Sequence, residues 1–341
     1  MTGATPRNDL ARIRRGALAG WLLAAMAIGC TSCGSLRLMT YRDDALIKSY
    51  TYVLGEKYLV VGGIRYCYQE RGEGETVLIL PGLATSIDFW QETIPALASH
   101  YHVVAVDPPG FGKSDKPDAG YELSWIVDRV VDFMDAKRLK RVTIIGGSLG
   151  GHLGLLLALK HPERVSKLVL MGSVGDWPTP TGLTDLALKT LWNEWMVVGF
   201  MRDQWPDIYA KMFKHPRPLT ERIFKYQMAL RANGAAYAAE GRTFSRAFHS
   251  IFYSSVRDRL GEIECPVLLV WGKEDTTHPS TAGEFFRDHL KDAELVIVED
   301  SAHEVMIDQP EVFNQLVLRF LKEGTRRQAG RPFSARPPPS P

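Results

Sequence analysis

Five residues, Gly146-Gly147-Ser148-Leu149-Gly150, constrain this chain more than any other stretch. They follow a β-branched run, Arg141-Val142-Thr143-Ile144-Ile145, and open onto an apolar run, Leu153-Gly154-Leu155-Leu156-Leu157-Ala158-Leu159. A strand that turns sharply at a serine and continues as a helix needs small neighbours, because strand and helix pack closely around the turn. The hydroxyl is then presented at a helix N-terminus, where free N–H groups and the helix dipole favour developing negative charge. The pentapeptide alone recurs by chance, so its meaning depends on its flanks and on partners elsewhere.

Similar strand-like runs occur at Tyr58–Val61, Ile64–Glu70, Thr76–Leu80, His102–Asp107, Val142–Gly146, Lys167–Met171, Pro266–Trp271 and Glu294–Val298. Gly62-Gly63 between the first two reads as a hairpin. Helical spacing at Ile126, Val127, Val130, Val131 and Met134 marks 123–137. Near-continuous apolar strands alternating with helices imply a mostly parallel sheet covered on both faces. From about 176 to 256 the pattern becomes helical and rich in Trp and Met, with no clear strand. The expected organisation is a core over 51–175 and 257–324, a helical cap over 176–256, and a disordered tail over 325–341 that has few apolar residues.

The termini differ from the body in charge. Residues 1–29 hold four Arg and one Asp and residues 325–341 four Arg, so the net +2 leaves the central part at −5. An acidic body argues against nucleic-acid binding, which normally presents a basic face. Arg12, Arg14 and Arg15 precede an uncharged run from Gly16 to Gly29, followed by Cys30. That is the layout of an export signal, and it is short of the roughly 20 apolar residues a spanning helix needs. Residues 1–29 are expected to be a signal peptide and 30–50 a linker. Cys30 and Cys33 have no second ligand pair, so a zinc or redox site there is not expected. Cys67 and Cys265 read as buried free thiols, although export would permit a disulfide between them.

A serine hydroxyl becomes a nucleophile when a base takes its proton and a third group orients that base. Of nine histidines, His303 lies just past the last expected strand, at the carboxyl edge where open α/β sheets place their sites. His152 is too close to Ser148 along the chain to approach it freely, and His161 precedes Pro162 at a helix end. Three carboxylates compete as orienter: Asp275, Asp176 and, more weakly, Glu274, each a solvated loop residue if it has no such role. Donors for a tetrahedral oxyanion are expected from the backbone N–H of Leu149 and of Leu83, since Pro81 in Pro81-Gly82-Leu83-Ala84 has none.

Leu80-Pro81-Gly82, Asp107-Pro108-Pro109-Gly110-Phe111-Gly112-Lys113-Ser114-Asp115, the Ser148 turn, Trp271-Gly272-Lys273-Glu274-Asp275 and Ser301-Ala302-His303 with Gln309-Pro310 together resemble the α/β-hydrolase superfamily. The resemblance runs over about 58–324 and is weak over 176–256, where that family inserts a variable cap. It implies an eight-stranded, mostly parallel sheet, a Ser148–His303–Asp275 triad with Asp275 preferred over Asp176, and no cofactor or metal. Serine at the turn, where some members have aspartate, sets the chain apart from the family's haloalkane dehalogenases and epoxide hydrolases. Pro81 and Ala302 depart from the His and Gly that many members carry at those positions. The start of the chain resembles the lipobox of bacterial lipoproteins, with Cys30 as the acylated residue and Ala27 where Leu is preferred.

The leading expectation is a membrane-anchored lipoprotein of the cell envelope that cleaves carboxylic esters with apolar acyl groups, lipid esters among them. A carbon–carbon bond hydrolase or acyltransferase of the same fold is the runner-up, and a non-catalytic binding protein on this scaffold the third reading. Trp177, Trp192, Trp195, Phe200 and Trp205 either line an acyl pocket or form the cap's own core.

Overall fold

The computed structural model describes residues 55–194, 197, 208–216, 220 and 234–325, and the backbone of 333–335. Strands β1 (Lys57–Val61) and β2 (Ile64–Arg71) form the hairpin, with Gly62 and Gly63 at φ +58° and +80°. A tight two-residue turn that matches the twist of its strands needs two positive φ angles, which glycine adopts without a Cβ clash. Then follow β3 (Thr76–Leu80), α1 (Thr93–Ala98), β4 (His102–Val106), α2 (Leu123–Ala136), β5 (Val142–Gly147), α3 (Leu149–Lys160) and β6 (Val165–Met171). After β6 come α4 (Gly182–Leu191) and α5 (Gly234–Tyr253), both between β6 and β7 in the chain. The chain closes with β7 (Val267–Gly272), α6 (Ser280–His289), β8 (Ala293–Val298), α7 (Val305–Asp308), α8 (Pro310–Glu323) and β9 (Phe333–Ala335).

The sheet order is β1-β2-β4-β3-β5-β6-β7-β8-β9. Pairings β1/β2 and β2/β4 are antiparallel and all the others parallel. Eight strands match the sequence expectation. Residues 333–335, within the tail expected to be disordered, add a short ninth strand parallel to β8. Without them β8 would present an edge of unpaired N–H and C=O groups, and a short extended segment of nearly any composition can satisfy such an edge.

Strand alternation sorts the core into two layers. Leu78, Leu80, Val104 and Val106 face a cluster with Val127, Phe133 and Leu153 of α2 and α3 and Phe286 of α6. Val77, Ile79, Val103 and Ala105 face Leu97, Val305, Phe313 and Phe320 of α1, α7 and α8. Both faces are therefore covered, and the loops at the carboxyl ends of β3, β5, β7 and β8 gather at one edge. Cys67 is buried and Cys265 half-buried, both as free thiols, so no disulfide joins them and Cys265 is less enclosed than expected.

Candidate active site

Ser148 sits between β5 and α3 at φ +50° and ψ −114°, a conformation that costs a non-glycine residue roughly 1–3 kcal/mol. Three backbone bonds hold it there. Its N–H donates to the Met171 carbonyl at 2.8 Å, and its own carbonyl accepts from His152 at 3.2 Å and Val174 at 3.4 Å. The flanking glycines are required by close approach: a Cβ on Gly146 would overlap the backbone of Gly150, and one on Gly150 the Leu80 carbonyl oxygen. Leu149 begins α3 and is buried.

His303 lies on the loop between β8 and α7, and Asp275 on the loop after β7. Nδ1 of His303 is 2.7 Å from Oδ2 of Asp275, with the two residues 2% and 5% exposed. The other Asp275 oxygen accepts the backbone N–H groups of Thr277 (2.9 Å) and His278 (2.8 Å), which leaves Oδ2 aimed at the imidazole. Burial alone would pull the His303 pKa down, but the Asp275 carboxylate, helped by Glu304, pushes it above its ordinary value. The ring packs against Gly172, the residue after Met171; a Cβ there would come within 2.9 Å of His303 Cε1. Since Met171 holds the Ser148 backbone, serine turn, imidazole and aspartate converge on the carboxyl end of β6.

The competing residues are engaged elsewhere. Asp176 Oδ1 lies 2.9 Å from Nε2 of His278, both almost fully buried, so it pairs with a second histidine and not with His303. Glu274 accepts the Ser301 N–H at 3.0 Å and pairs with Lys214 at 2.8 Å, tying two loops together. His152 is buried with Nε2 2.7 Å from the Ser254 carbonyl. Burial takes its pKa down to about 4, against the raising effect of that carbonyl and of Asp176. His161 follows α3 as its C-cap.

Gly82 follows β3 and lies against the turn: a Cβ on it would be 3.3 Å from both Ser148 Cβ and the Gly147 carbonyl oxygen. Thr85 closes this loop by donating its N–H (3.3 Å) and hydroxyl (3.0 Å) to the Gly82 carbonyl, with Ala84 at φ +57° and Leu83 half-buried between. Asp107, buried at the end of β4, accepts N–H groups from Ile87 (2.8 Å) and Lys113 (2.9 Å). Burial pushes its pKa up to about 7, with Asp88 adding to the shift and the two N–H groups and Lys113 opposing it. The Asp107–Asp115 motif is thus a brace for the loop after β3. Trp177 and Trp192 pack on Phe252 of α5 at 5.3 and 6.4 Å, and Trp177 also meets His278 of the body at 6.0 Å, so it lies between α5 and the body. Trp195, Phe200, Trp205 and Cys30 lie outside the described residues.

Two buried carboxylates beside the histidine escaped the sequence reading. Glu304 follows His303 directly. Burial raises its pKa to about 7, with Asp275 and Asp308 adding to the shift and His303 opposing it. Asp308 accepts the Ala302 N–H at 2.7 Å. Their signal in sequence was only position, one and five residues after His303.

The family described as the alpha/beta hydrolase fold matches residues 75–310, which contain every element of this site. The chain belongs to that family. This α/β hydrolase is 30% identical over 284 residues to the 2-hydroxy-6-oxo-6-(2'-aminophenyl)hexa-2,4-dienoic acid hydrolase of Metapseudomonas resinovorans, covering 78% of this chain and 90% of the relative. It is 30% identical over 264 residues to 2-hydroxy-6-oxononadienedioate/2-hydroxy-6-oxononatrienedioate hydrolase 1 of Dechloromonas aromatica, with 74% and 89% covered. Among solved structures, a bacterial membrane phospholipase A is 29% identical with a TM-score of 0.63, over 90% of this chain and 98% of that one. The chain is accordingly a hydrolase. The names of the two curated relatives correspond to the carbon–carbon runner-up of the sequence reading more than to its ester reading.

Proposed function

We propose that this α/β hydrolase cleaves the bond between an acyl carbonyl and its leaving group through an acyl-enzyme on Ser148. The observation that carries the reading is the buried His303–Asp275 pair at 2.7 Å, set against the same strand end that holds the strained Ser148. His303 takes the Ser148 proton as its hydroxyl oxygen attacks the carbonyl, and returns it to the leaving group. Asp275 holds the imidazole tautomer and stabilises the imidazolium that forms. The N–H groups of Leu149 and Leu83 receive the oxyanion. Water then attacks the acyl-enzyme with His303 again as base.

For the leaving group we favour the oxygen of an apolar, lipid-type ester. The likeness to a bacterial membrane phospholipase A, 29% identical and covering 98% of that chain, supports this reading. The basic, then apolar, start ending at Cys30 supports the same reading, as the anchor of an exported lipoprotein. Both hydroxy-oxo-dienoate relatives favour carbon instead, with the departing carbon's charge delocalised into the dienoate. Kinetics on p-nitrophenyl esters of graded chain length, phospholipid vesicles and a 2-hydroxy-6-oxo-dienoate decide between them. Ester turnover rising with acyl length supports the lipid reading. Efficient cleavage of the dienoate with weak ester turnover would replace it by the carbon–carbon reading. Failure of Ser148 to react with an active-site phosphonate would remove both.

A further inference from the structure

Residues Tyr209–His215 belong in sequence to the segment between β6 and β7, yet they pack as a strut of the catalytic body. Tyr209, Met212 and Phe213 are buried in the same apolar cluster as α7 and α8. Phe213 stacks on Phe89 with ring centroids 6.2 Å apart, and Tyr209 meets Phe89 edge-on at the same distance. Phe89 follows the loop after β3. Met212 accepts the N–H of Glu304 at 3.1 Å, directly beside His303. The Lys214 ammonium is 2.8 Å from both Glu274 and Asp300, on the loops after β7 and β8. One short segment therefore touches three of the four connections that carry the candidate machinery, those after β3, β7 and β8.

Asp308 is where strut and histidine loop are joined. Its carboxylate, 4% exposed, accepts the N–H of Lys214 (3.0 Å to Oδ1 and 3.1 Å to Oδ2) and of His215 (2.9 Å to Oδ1). On the loop side Oδ2 accepts the N–H of Ala302 at 2.7 Å and the Ser301 hydroxyl at 3.4 Å. Every partner is a donor, so the site calls for a group that only accepts, on both oxygens. A carboxamide of the same shape must turn its NH₂ either on the strut or on the loop, opposing N–H to N–H. A buried donor left without a partner is costly, so one of the two connections gives way.

We propose that Asp308 is a positioning residue for the hydrolytic reaction: it fastens the loop of His303 to the Tyr209–His215 strut, so that the base stays in register only while the strut is seated. It acts through His303 and not on substrate, and the proposal rests on the assignment of His303 as general base. Displacement of a catalytic group by about 1 Å costs up to about 100-fold in rate.

The test uses Asp308→Asn in the full-length protein, with a short soluble p-nitrophenyl ester and circular dichroism as the check on folding. The folded variant is expected to lose roughly 10- to 100-fold in kcat with KM changed by less than about twofold. Unchanged kcat, or a loss lying wholly in KM, overturns the proposal. Hydrogen exchange of the wild type gives a second measure that needs no variant. The N–H groups of Lys214, His215, Ala302 and Glu304 should open with one common protection factor, as a cooperative unit does. Exchange of Lys214 and His215 at least about tenfold faster than Ala302 and Glu304 overturns it. Failure of the catalytic assignment itself is distinguishable, since activity would then survive His303→Ala.

Discussion

At the residue scale the site rests on two kinds of group, and they were not equally visible in sequence. Ser148, Asp275 and His303 each stand just past a strand, and strands are marked by apolar runs, so their shared edge followed from the pattern. Asp308 and Glu304 were not legible, because the groups that engage them, the N–H groups of Lys214 and His215 and the carbonyl of Met212, lie more than 90 residues away. Ser148→Ala should lower hydrolysis by roughly 10³-fold or more, with His303→Ala comparable because the two act as a unit; rates on any accepted ester, with phosphonate labelling, check this. The imidazole must be neutral to accept the proton, and its pKa lies above the ordinary 6.5 chiefly because Asp275 outweighs the effect of burial. The acidic limb of kcat/KM should therefore fall above pH 6.5 and move downward in Asp275→Asn, as a pH–rate profile will show. Glu304 works in the opposite sense on stability. Its folded-state pKa of about 7 exceeds the usual 4.5, so the unfolded chain releases the proton first and stability declines as pH rises between those values. Glu304→Gln should gain Tm relative to wild type on going from pH 5 to pH 8, measured by thermal melts at both.

At the scale of elements, the eight main strands and α2 are legible in sequence nearly to their ends. Near-continuous Val, Ile and Leu runs are direct consequences of burial on both sheet faces, as in Val267-Leu268-Leu269-Val270. What could not be read was contact between elements. Tyr209–His215 has the composition of a cap, but Phe89 and the β8–α7 loop recruit it to the body. β9 is only three residues, Phe333-Ser334-Ala335, too short a run to be marked as a strand in sequence, and it pairs with the edge of β8. Packing at the serine turn depends on close approaches of backbone to backbone, at Gly146 and at Gly150. A methyl group on Gly150 meets the carbonyl of Leu80, which no side-chain rotation can relieve, so α3 must move away from β3. Gly150→Ala is expected to cost about 1–3 kcal/mol in denaturant unfolding and to depress activity beyond that, because Ser148 shifts with α3.

At the scale of the whole molecule, the proposed anchor and the catalytic body should be separable. Cys30→Ser is expected to leave turnover of a short soluble ester within about twofold while abolishing lipid attachment and lowering activity on phospholipid vesicles through loss of local concentration. Mass spectrometry of the mature N-terminus checks it, and an unmodified Cys30 in the wild type would refute the anchor without touching the triad.

The sheet order carries a geometric corollary. β1, the first strand, and β9, the last, occupy opposite edges. Eight spacings of about 4.8 Å separate them, roughly 38 Å along a flat sheet and less after twist. The described body accordingly begins and ends on opposite flanks. With the N-terminus immobilised on a surface, a fluorophore fused after Pro341 would report the height of the far flank, and so whether a body anchored as proposed stands upright or lies down.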